Sequence, residues 1–229
     1  MKNNPNRSLI LNSARKNFYQ RGFNNTSIRA IAAEVNMTNV NLFNYFKNKR
    51  EILVSLFDDF LDSMYFPLNS IIPGLDHPVE AMLSGIIIFQ YTLSYNKRFS
   101  DLYEEALKED VIGGIFVRNL TPFCQQIVDS YSHEKFTKKE LHYTVYTLFE
   151  AIMNINVRVS KEELTFSQDF LRNQHIRLFY RLFYLNREDF QNEEKTILKI
   201  AKEYDYRSVS TYWTTEWIEF DDSKKIINT

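Results

Sequence analysis

Residues 26–49 read TSIRAIAAEVNMTNVNLFNYFKNK, and this stretch decides the fold. Apolar residues recur at helical spacing after Thr26, whose hydroxyl we expect to cap the first helix of a pair. Asn36 follows that helix where a sharp turn is needed, and asparagine tolerates the left-handed conformation better than most residues with a Cβ. Thr38 is expected to cap a second, short helix. The stretch therefore predicts a helix-turn-helix.

The second helix of the pair has an unusual outer face. Leu42 and Phe46 lie four residues apart and are predicted to point inward. A solvated helix normally exposes Lys and Glu, whereas this one leaves amides, a hydroxyl, a small apolar group and aromatic rings outside. Asn can read adenine bidentately, and a small apolar group can contact a thymine methyl. On the motif alone, a small surface helix of another all-α protein remains the alternative. The outward residues are Asn39, Val40, Asn41, Phe43 and Tyr45.

The segment from Leu9 to about Leu53 resembles the DNA-binding domain of the tetracycline-repressor (TetR) family of bacterial regulators. Two positions depart from the family pattern. Asn36 stands where the family usually has Gly, and Phe43 stands where it usually has Tyr, which removes one hydroxyl contact to phosphate. The resemblance rests on Ala14, Phe18, the Gly22-Phe23 turn, Thr26-Ser27, Ile31-Ala32, the run Leu42-Phe43-x-Tyr45-Phe46, Lys47-Asn48-Lys49-Arg50, Glu51 and Leu53.

The resemblance implies a double-stranded DNA operator as partner, and it gives the motif residues separate roles. Asn39, Val40 and Asn41 are expected to meet base edges, while Thr26, Tyr45 and Lys49 hold phosphates. Arg29 suits either task, and Phe43 packs against the sugar-phosphate backbone. The candidate interface comprises Thr26, Ser27, Arg29, Thr38, Asn39, Val40, Asn41, Phe43, Tyr45 and Lys49.

Charge divides the chain in the same way. Residues 1–52 hold nine Lys/Arg against two Glu, a net charge of +7, and residues 53–229 hold nineteen against twenty-seven acids, a net charge of −8. A basic head on an acidic body suits an N-terminal unit that meets phosphates, although a chance imbalance gives the same count. We predict a DNA-binding domain over 1–52 and a regulatory domain over 53–229, with the boundary on a helix that belongs to both.

The rest of the chain is predicted to be helical, which makes the fold class all-α: a three-helix DNA-binding domain followed by a larger helical ligand-binding and dimerisation domain. Few Gly and Pro and few alternating runs favour this. Capping boxes are predicted at 48–51, 137–140 and 160–163. The predicted helices span 5–21, 49–66, 78–95, 99–107, 115–131 with an interruption near Pro122, 141–159, 164–185, 186–203, and one after Ser208 that carries Trp213, Trp217 and Phe220; breaks are predicted at 67–76 and 111–114.

Two of these helices, about 141–159 and 164–185, are apolar over wide faces and must be covered on most sides. They carry Leu141, Val145, Leu148, Ile152 and Ile155, and Phe166, Phe170, Leu171, Ile176, Phe179, Tyr180, Phe183 and Tyr184. By resemblance, such a pair forms a homodimer through a four-helix bundle. A dimer also doubles the DNA site, with half-sites roughly 34–36 Å or a multiple apart.

The resemblance also implies a pocket for an unknown small-molecule effector. Such pockets are mostly apolar with a few polar groups. Aromatic residues at helical spacing are more often plain core than pocket walls. Glu150 is the one acid between 141 and 159; it could meet a cationic ligand or, as we favour, pair with Arg118 or Arg158 at an interface. The candidate pocket residues are Phe89, Tyr103, Phe116, Phe123, Tyr146 and Glu150.

Several classes are disfavoured by what the sequence holds. The lone Cys124 fits a core position in a reducing cytoplasm. The four His lack metal-ligand spacing, Glu104-Glu105 is expected to be a solvated pair, and no nucleophile or phosphate-loop motif is present. The longest charge-free run, 81–95, is too short to cross a membrane. We therefore expect no enzyme, cofactor or metal, and a cytoplasmic homodimeric regulator, most simply a ligand-released repressor. An activator, a helical small-molecule carrier or enzyme, and a protein-interaction module without DNA binding stay open.

Overall fold

The computed structural model describes residues 4–71 and 77–203, with side chains described for 4–61 and 77–199, and these residues are helical with no β-strand among them. The all-α prediction is confirmed. In chain order the helices are α1 (Pro5–Arg21), α2 (Ile28–Glu34), α3 (Asn39–Phe43), α4 (Lys49–Ile71), α5 (Pro78–Tyr95), α6 (Lys97–Lys108), α7 (Ile112–Tyr131), α8 (Lys138–Ser160), α9 (Gln168–Leu182) and α10 (Gln191–Glu203).

The head consists of α1, α2 and α3 around one small core. Asn4 caps α1, Pro5 occupies its first turn, and the chain leaves the helix at Gly22, whose φ of 87° suits a residue without a Cβ. The predicted inward stripe of α1 is buried, and so is Leu42 of α3. On the predicted face of α2, Ile31 and Ala32 are buried while Ile28 and Val35 are half-buried. The core residues are Ile10, Ala14, Phe18, Phe23, Ile31, Ala32, Leu42 and Phe46.

Helix α4 joins the head to the body without an interruption. Asn48 caps it by accepting the N–H of Glu51 at 2.8 Å, but the Glu51 carboxylate reaches back to the N–H of Lys47 and not to that of Asn48. Half of the predicted capping box is therefore present as expected, and in the other half the Glu51 carboxylate bonds one residue earlier, at Lys47 instead of Asn48. The predicted break at Pro67 is wrong, because the helix continues through it to Ile71.

Helix α5 lies at the centre of the body. Almost every residue from Val79 to Leu93 is buried, and α5 packs against α4, α6, α7, α8, α9 and α10. A helix that is apolar on nearly all sides needs such a cover. The long charge-free run of the sequence is thus the axis of the regulatory body. In the described part of the chain, no helix combines the length and apolar character that crossing a bilayer demands.

Three predictions for the body are wrong: the turn at 111–114, the interruption near Pro122 and the capping box at 160–163. Helix α7 starts at Ile112 and continues past Pro122, so the turn expected at 111–114 is the first turn of a helix. The capping box predicted at 160–163 is absent, because Ser160 is the last residue of α8 and its hydroxyl donates to the carbonyl of Val157 at 2.7 Å. Glu162 then takes a φ of 62°, and α9 begins late, capped by Ser167. The box at Thr137–Glu140 is confirmed.

The segment after α9 covers the central helix. Asn186 caps a 3-10 turn, Arg187–Phe190, that leads into α10, and α10 packs against α5. Phe190 and Ile197 are buried there. The helix predicted at 186–203 is thus confirmed with a 3-10 first turn. The predicted final helix, with Ser208, Trp213, Trp217 and Phe220, lies outside the described residues.

Candidate nucleic-acid interface and internal cavity

The turn between α2 and α3 has the geometry that the sequence predicts. Asn36 adopts a φ of 54°, in the left-handed region. Met37 is half-buried beneath it, and its N–H donates to the carbonyl of Ala32 at 2.8 Å. Leu42 is 0% exposed and Phe46 is 1% exposed, so both anchor α3 to the head. The short helix is therefore held by two buried side chains on its inner side.

The outer face of α3 is accessible. Val40 is 72% exposed and Phe43 is 48% exposed, Asn41 is exposed, and Asn39 is half-buried. The hydroxyl of Thr38 accepts the N–H of Asn41 at 3.2 Å and so fixes the first turn. Amides and small apolar groups are thus presented together on a helix that carries no charge.

The corner before α2 differs from the prediction. Ser27, not Thr26, is the N-cap, and its hydroxyl accepts the N–H of Ala30 at 3.1 Å. Thr26 is 2% exposed, and its hydroxyl donates to the carbonyl of Gly22 at 2.8 Å. The Thr26 side chain is therefore occupied inside the head. Ser27 and Arg29 are exposed and are the side chains available at this corner.

Lys49 is placed where it holds the loop before α2. Its Nζ donates to the carbonyl oxygens of Phe23 at 2.7 Å and Thr26 at 3.0 Å, and it lies 4.2 Å from the centroid of the Phe23 ring. Partial burial lowers the pKa of Lys49, while the nearby Glu109 and Glu105 oppose that shift. Two of its three donors are thus used within the head, which gives it a positioning role beside the predicted phosphate contact.

Tyr45 is oriented by a residue that the sequence did not single out. Asn6, on α1, donates from Nδ2 to the Tyr45 hydroxyl oxygen at 2.9 Å. Because that oxygen accepts from Asn6, the Tyr45 proton stays free to donate elsewhere. The neighbouring Arg7 lies over the Phe46 ring and donates to Ser55 Oγ at 2.8 Å. The first turn of α1 therefore supports the end of the recognition motif, and only the fold brings it there.

A polar network fixes α2 against α1. Asn17 is 2% exposed and donates from Nδ2 to Glu34 at 2.7 Å and to the carbonyl of Ser13 at 2.9 Å. The Ser13 hydroxyl also donates to Glu34, and this bond is the main reason that the pKa of Glu34 lies below its ordinary value. The sequence signal for this network is Asn17, a polar residue at an inward position of α1.

Glu105 connects the head with the body. Its carboxylate accepts the N–H of Phe23 and the side-chain amide of Asn24, the latter at 3.1 Å. On the other side of the junction, Arg50 donates to the carbonyls of Glu109 at 3.0 Å and Asp110 at 2.8 Å, past the end of α6. The expectation that the Glu104-Glu105 pair is a solvated helix face is therefore wrong.

An apolar cavity of about 40 Å³ lies inside the body, between α4, α5, α7 and α8. Phe89 and Phe116, both predicted pocket residues, line it, and their rings meet edge to face at 5.4 Å. Cys124 also lines it, and burial raises the pKa of this thiol to about 12, as befits a core residue. The remaining wall residues are Leu61, Met82, Gly85, Ile86, Leu120, Val145, Leu148, Phe149, Ile152 and Met153.

The other predicted pocket residues do not line this cavity. Tyr103 is fully buried in the aromatic cluster, 5.1 Å from Phe89 between ring centroids. Phe123 is half-buried, and Tyr146 is 40% exposed on α8. Glu150 lies near Tyr146, away from the apolar walls. The candidate set therefore divides between an internal cavity and a polar region at the α7–α8 surface.

The favoured partners of Glu150 are engaged elsewhere within the chain. Arg118 pairs with Asp58 of α4, and Arg158 pairs with Glu163 at 3.2 Å. Glu150 instead accepts a hydrogen bond from the side chain of Asn154 at 2.7 Å. The predicted arginine pairing is not seen in the described part of this protomer.

Most apolar residues predicted for the dimer face serve the core of this protomer. Leu141, Val145, Leu148 and Ile152 of α8 are buried, as are Leu171, Ile176, Phe179, Tyr180 and Phe183 in and after α9. Large apolar side chains that remain exposed in this region are Tyr143 and Tyr146 on α8, Phe166 just before α9, Phe170 in its first turn and Tyr184 after it. The surface open to a partner is therefore narrower than the sequence pattern indicated.

A basic head with a buried-core helix-turn-helix and an exposed amide face has the features of a unit that contacts DNA. Residues 10–56 match the family model for bacterial regulatory proteins of the tetR family. The HTH-type transcriptional regulator YuxN of Bacillus subtilis (strain 168) is 25% identical over 148 residues. That match covers 64% of this chain but 44% of YuxN, so the chain spans less than half the length of this curated relative.

Solved structures share the fold at low identity. RolR without ligand superposes with a TM-score of 0.58 at 15% identity, covering 86% of this chain and 96% of RolR. RolR in complex with resorcinol gives a TM-score of 0.52 at 15% identity, covering 74% of this chain and 92% of RolR. The fatty acid degradation regulator FadR from Bacillus halodurans gives 0.50 at 14% identity, covering 80% and 97%. These likenesses extend the shared fold from the head to the body.

Proposed function

We propose that this chain is a homodimeric transcriptional repressor that a small molecule releases from its operator. The observation that carries the proposal is the exposed, uncharged face of α3, anchored by Leu42 and Phe46 on a head with a net charge of +7 in its first 52 residues. Lys and Arg around the motif supply affinity for phosphates, and the face of α3 supplies sequence preference.

The roles on DNA follow from exposure and chemistry. Asn41 and Val40 reach base edges, with Asn39 beside them, because an amide and a methyl-bearing group match adenine and thymine in the major groove. Tyr45 donates its free hydroxyl proton to a phosphate, with Asn6 holding its oxygen. Ser27 and Arg29 contact the backbone at the corner before α2. Thr26 and Lys49 act by holding the loop that positions this corner.

Two copies are needed for useful specificity. One five-residue helix reaches few base pairs, and a two-fold pair doubles them with half-sites about 34 Å apart or a multiple. The proposed contact uses α8 and α9, whose open surface holds Tyr143, Phe166 and Phe170. An exposed aromatic surface of this kind is typical of protein interfaces. The proposed place of action is the cytoplasm.

The cavity is the proposed effector site. RolR, which shares the fold, has been solved with resorcinol, and a small aromatic molecule suits the aromatic walls of this cavity. A volume of about 40 Å³ holds a few water molecules at most. An organic ligand must therefore push the walls apart, and Leu61 of α4 is one of them.

Release then follows as a population shift. A ligand that binds better when α4 is displaced increases the population of that state. In that state the two heads no longer fit successive major grooves. Each tenfold difference in ligand affinity between the two states weakens DNA binding by about 1.4 kcal/mol. Glu105 and Arg50 add a second connection, through α6, because they bond the head loop and the end of α6 directly. The head thus moves with both α4 and α6.

Gel retardation tests this proposal with the DNA just upstream of the protein's own gene. The wild type is expected to retard that fragment as a dimer, with an affinity that falls steeply with salt. Sedimentation of the free protein at the same concentrations gives the oligomeric state. No retardation of that DNA or of genomic fragments at low salt would reject the DNA-binding function, and a monomeric complex would reject the dimer.

A further inference from the structure

A polar groove of about 270 Å³ lies between α6 and α8, on the side of α8 away from the apolar cavity. Most charges along it are neutralised by neighbours. Glu104 is paired with Lys108 at 3.0 Å and also with Lys161, and Arg158 is paired with Glu163. Glu150 has no ion pair in the described part of the chain. The groove therefore holds one carboxylate without a basic partner.

The surroundings of Glu150 are polar donors and aromatic rings. Asn154 donates to its Oε2 at 2.7 Å. Its Oε1 lies 3.6 Å from the position of a Cβ on Gly113, and the Tyr146 hydroxyl lies 3.7 Å from the same position. The charge of Glu150 is the main reason that the pKa of Tyr146 is raised. The carboxylate is therefore held against the first turn of α7 beside an accessible aromatic ring.

We propose that Glu150 binds the positively charged group of a small amine in this groove, with Asn154 orienting the carboxylate and the Tyr146 ring alongside. This extends the proposed function, on which it rests, by giving the effector a cationic group. A carboxylate with an adjacent aromatic ring suits an ammonium ion through charge and cation–π contact.

The groove also adjoins the connection to the head. Glu104 lies on its wall, and the next residue, Glu105, bonds Phe23 and Asn24. An ammonium ion near Glu104 competes with Lys108 and Lys161 for its carboxylate and thereby loosens α6 from the end of α8. Binding in the groove is thus linked to the head through two adjacent residues.

Isothermal titration calorimetry of the full chain tests the site without DNA. The probe is benzylamine, protonated at neutral pH, and benzyl alcohol is its uncharged counterpart. We expect the amine to bind more tightly than the alcohol, and Glu150→Gln to weaken amine binding about tenfold to hundredfold, as charge-assisted hydrogen bonds imply. The matched control is Glu163→Gln, a paired carboxylate on the same groove, which should change amine binding less than twofold.

Other variants separate binding from structure. Tyr146→Leu removes the adjacent aromatic ring, so it should weaken amine binding several-fold without lowering the unfolding temperature, because Tyr146 is 40% exposed. Equal affinity for amine and alcohol overturns the proposal, and so does an affinity unchanged by Glu150→Gln. A Glu150→Gln chain that is destabilised but binds the amine as before would show that Glu150 merely supports the start of α7.

Gel retardation with and without benzylamine then examines the coupling separately. If the amine binds through Glu150 and releases the upstream DNA, both the site and its regulatory use are supported. If it binds but leaves the DNA complex intact, the cation site stands and its role as the effector site is rejected. If the protein retards no DNA at all, the proposed function fails, and the calorimetry still decides the site.

Discussion

The recognition helix and the internal cavity hold predicted functional residues in opposite states. On α3, Val40, Asn41 and Phe43 are exposed and Asn39 is half-buried, because Leu42 and Phe46 supply the buried contacts with the core. Tyr45, just after the helix, is half-buried against the core. In the body, Phe89, Tyr103 and Phe116 were predicted as pocket walls, and all three are packed into one aromatic cluster. A short helix on a small domain buries few of its side chains and leaves the others exposed, whereas the central helices of the body bury these aromatic rings against one another.

Lowering the pH should give the largest difference between the two regions, because it should destabilise the body more than the head. His175 is 2% exposed, its Nδ1 lies 3.0 Å from Gln90 Oε1, and burial lowers its pKa from 6.5 to about 4. Below about pH 6.5 His175 is protonated in the unfolded chain, whereas in the folded chain it stays neutral down to about pH 4. The free energy of unfolding therefore decreases as the pH is lowered through this window. We expect the body to lose about 2 kcal/mol between neutral pH and about pH 5. Urea unfolding of wild type and His175→Gln measures this.

The head should respond at lower pH. The pKa of Glu34 is lowered in the folded state, so its contribution is present above the ordinary value of 4.5 and is lost as pH falls through the lowered one. Because Glu34 is largely exposed, that contribution is under about 1 kcal/mol. Acid sensitivity of the wild type that persists in full in His175→Gln would contradict the assignment of the effect to the body.

Lys49→Met should reveal a positioning residue inside the head. The variant loses two hydrogen bonds from an ammonium group but keeps an apolar side chain over Phe23, and we expect about 2 kcal/mol of weakened DNA binding on every sequence. The dependence of log affinity on log salt should keep its slope. The control Arg29→Ala should lower the slope by about 1, as the loss of a phosphate contact requires. An equal drop in slope for Lys49→Met would make it a phosphate ligand.

Gly85→Ala should fill part of the cavity. A Cβ at Gly85 meets no heavy atom within 4 Å, and Gly85 lines the cavity in the middle of α5. Helix propensity should stabilise the chain by about 1 kcal/mol. Gly114→Ala is the matched control, since its Cβ is also unopposed but lies on the exposed side of α7. Xenon NMR should show weaker binding for Gly85→Ala alone, and identical binding in both variants would place the cavity elsewhere.

Glu105→Ala should have the smallest effect on stability, under about 1 kcal/mol, because the carboxylate is half-exposed. Its local effect should be clear: the Phe23 amide loses its acceptor, and its hydrogen exchange should accelerate about tenfold, as the loss of a charge-assisted bond of over 1 kcal/mol implies. Glu104→Ala, whose carboxylate binds Lys108 and Lys161, is the control. Unchanged exchange at Phe23 would remove the α6 connection from the mechanism.

The sequence predicts the structure best where one local rule acts alone. Asn4-Pro5, Asn36, Thr38 and the Thr137–Glu140 box each have the predicted geometry, because capping and left-handed turns involve neighbouring residues. Prediction fails where two local rules compete. Ser160 has the composition of a cap, yet the length of α8 is set by packing, and its hydroxyl bonds within α8 and to Ser100.

Contacts between distant segments could not be predicted from one sequence. Glu105 follows Glu104 on a helix that looks solvated in isolation, and only the docking of the head brings Phe23 to it. Asn6 lies 39 residues from Tyr45, and no spacing rule connects them. Thr26 was expected to cap α2 because it precedes the apolar run, but the cap is the next residue, Ser27. The fold and the exposed face of α3 were therefore predictable, and the supporting contacts were not.

The most direct test of the account compares sequence preference, not affinity alone. Wild type and Asn39→Ala/Asn41→Ala are titrated at equal salt with the upstream DNA and with an unrelated fragment of the same length. We predict that the double variant loses most of its preference, tenfold or more, while its affinity for the unrelated fragment stays the same. A preference that survives the double substitution unchanged would show that α3 does not read the bases, and it would contradict the account.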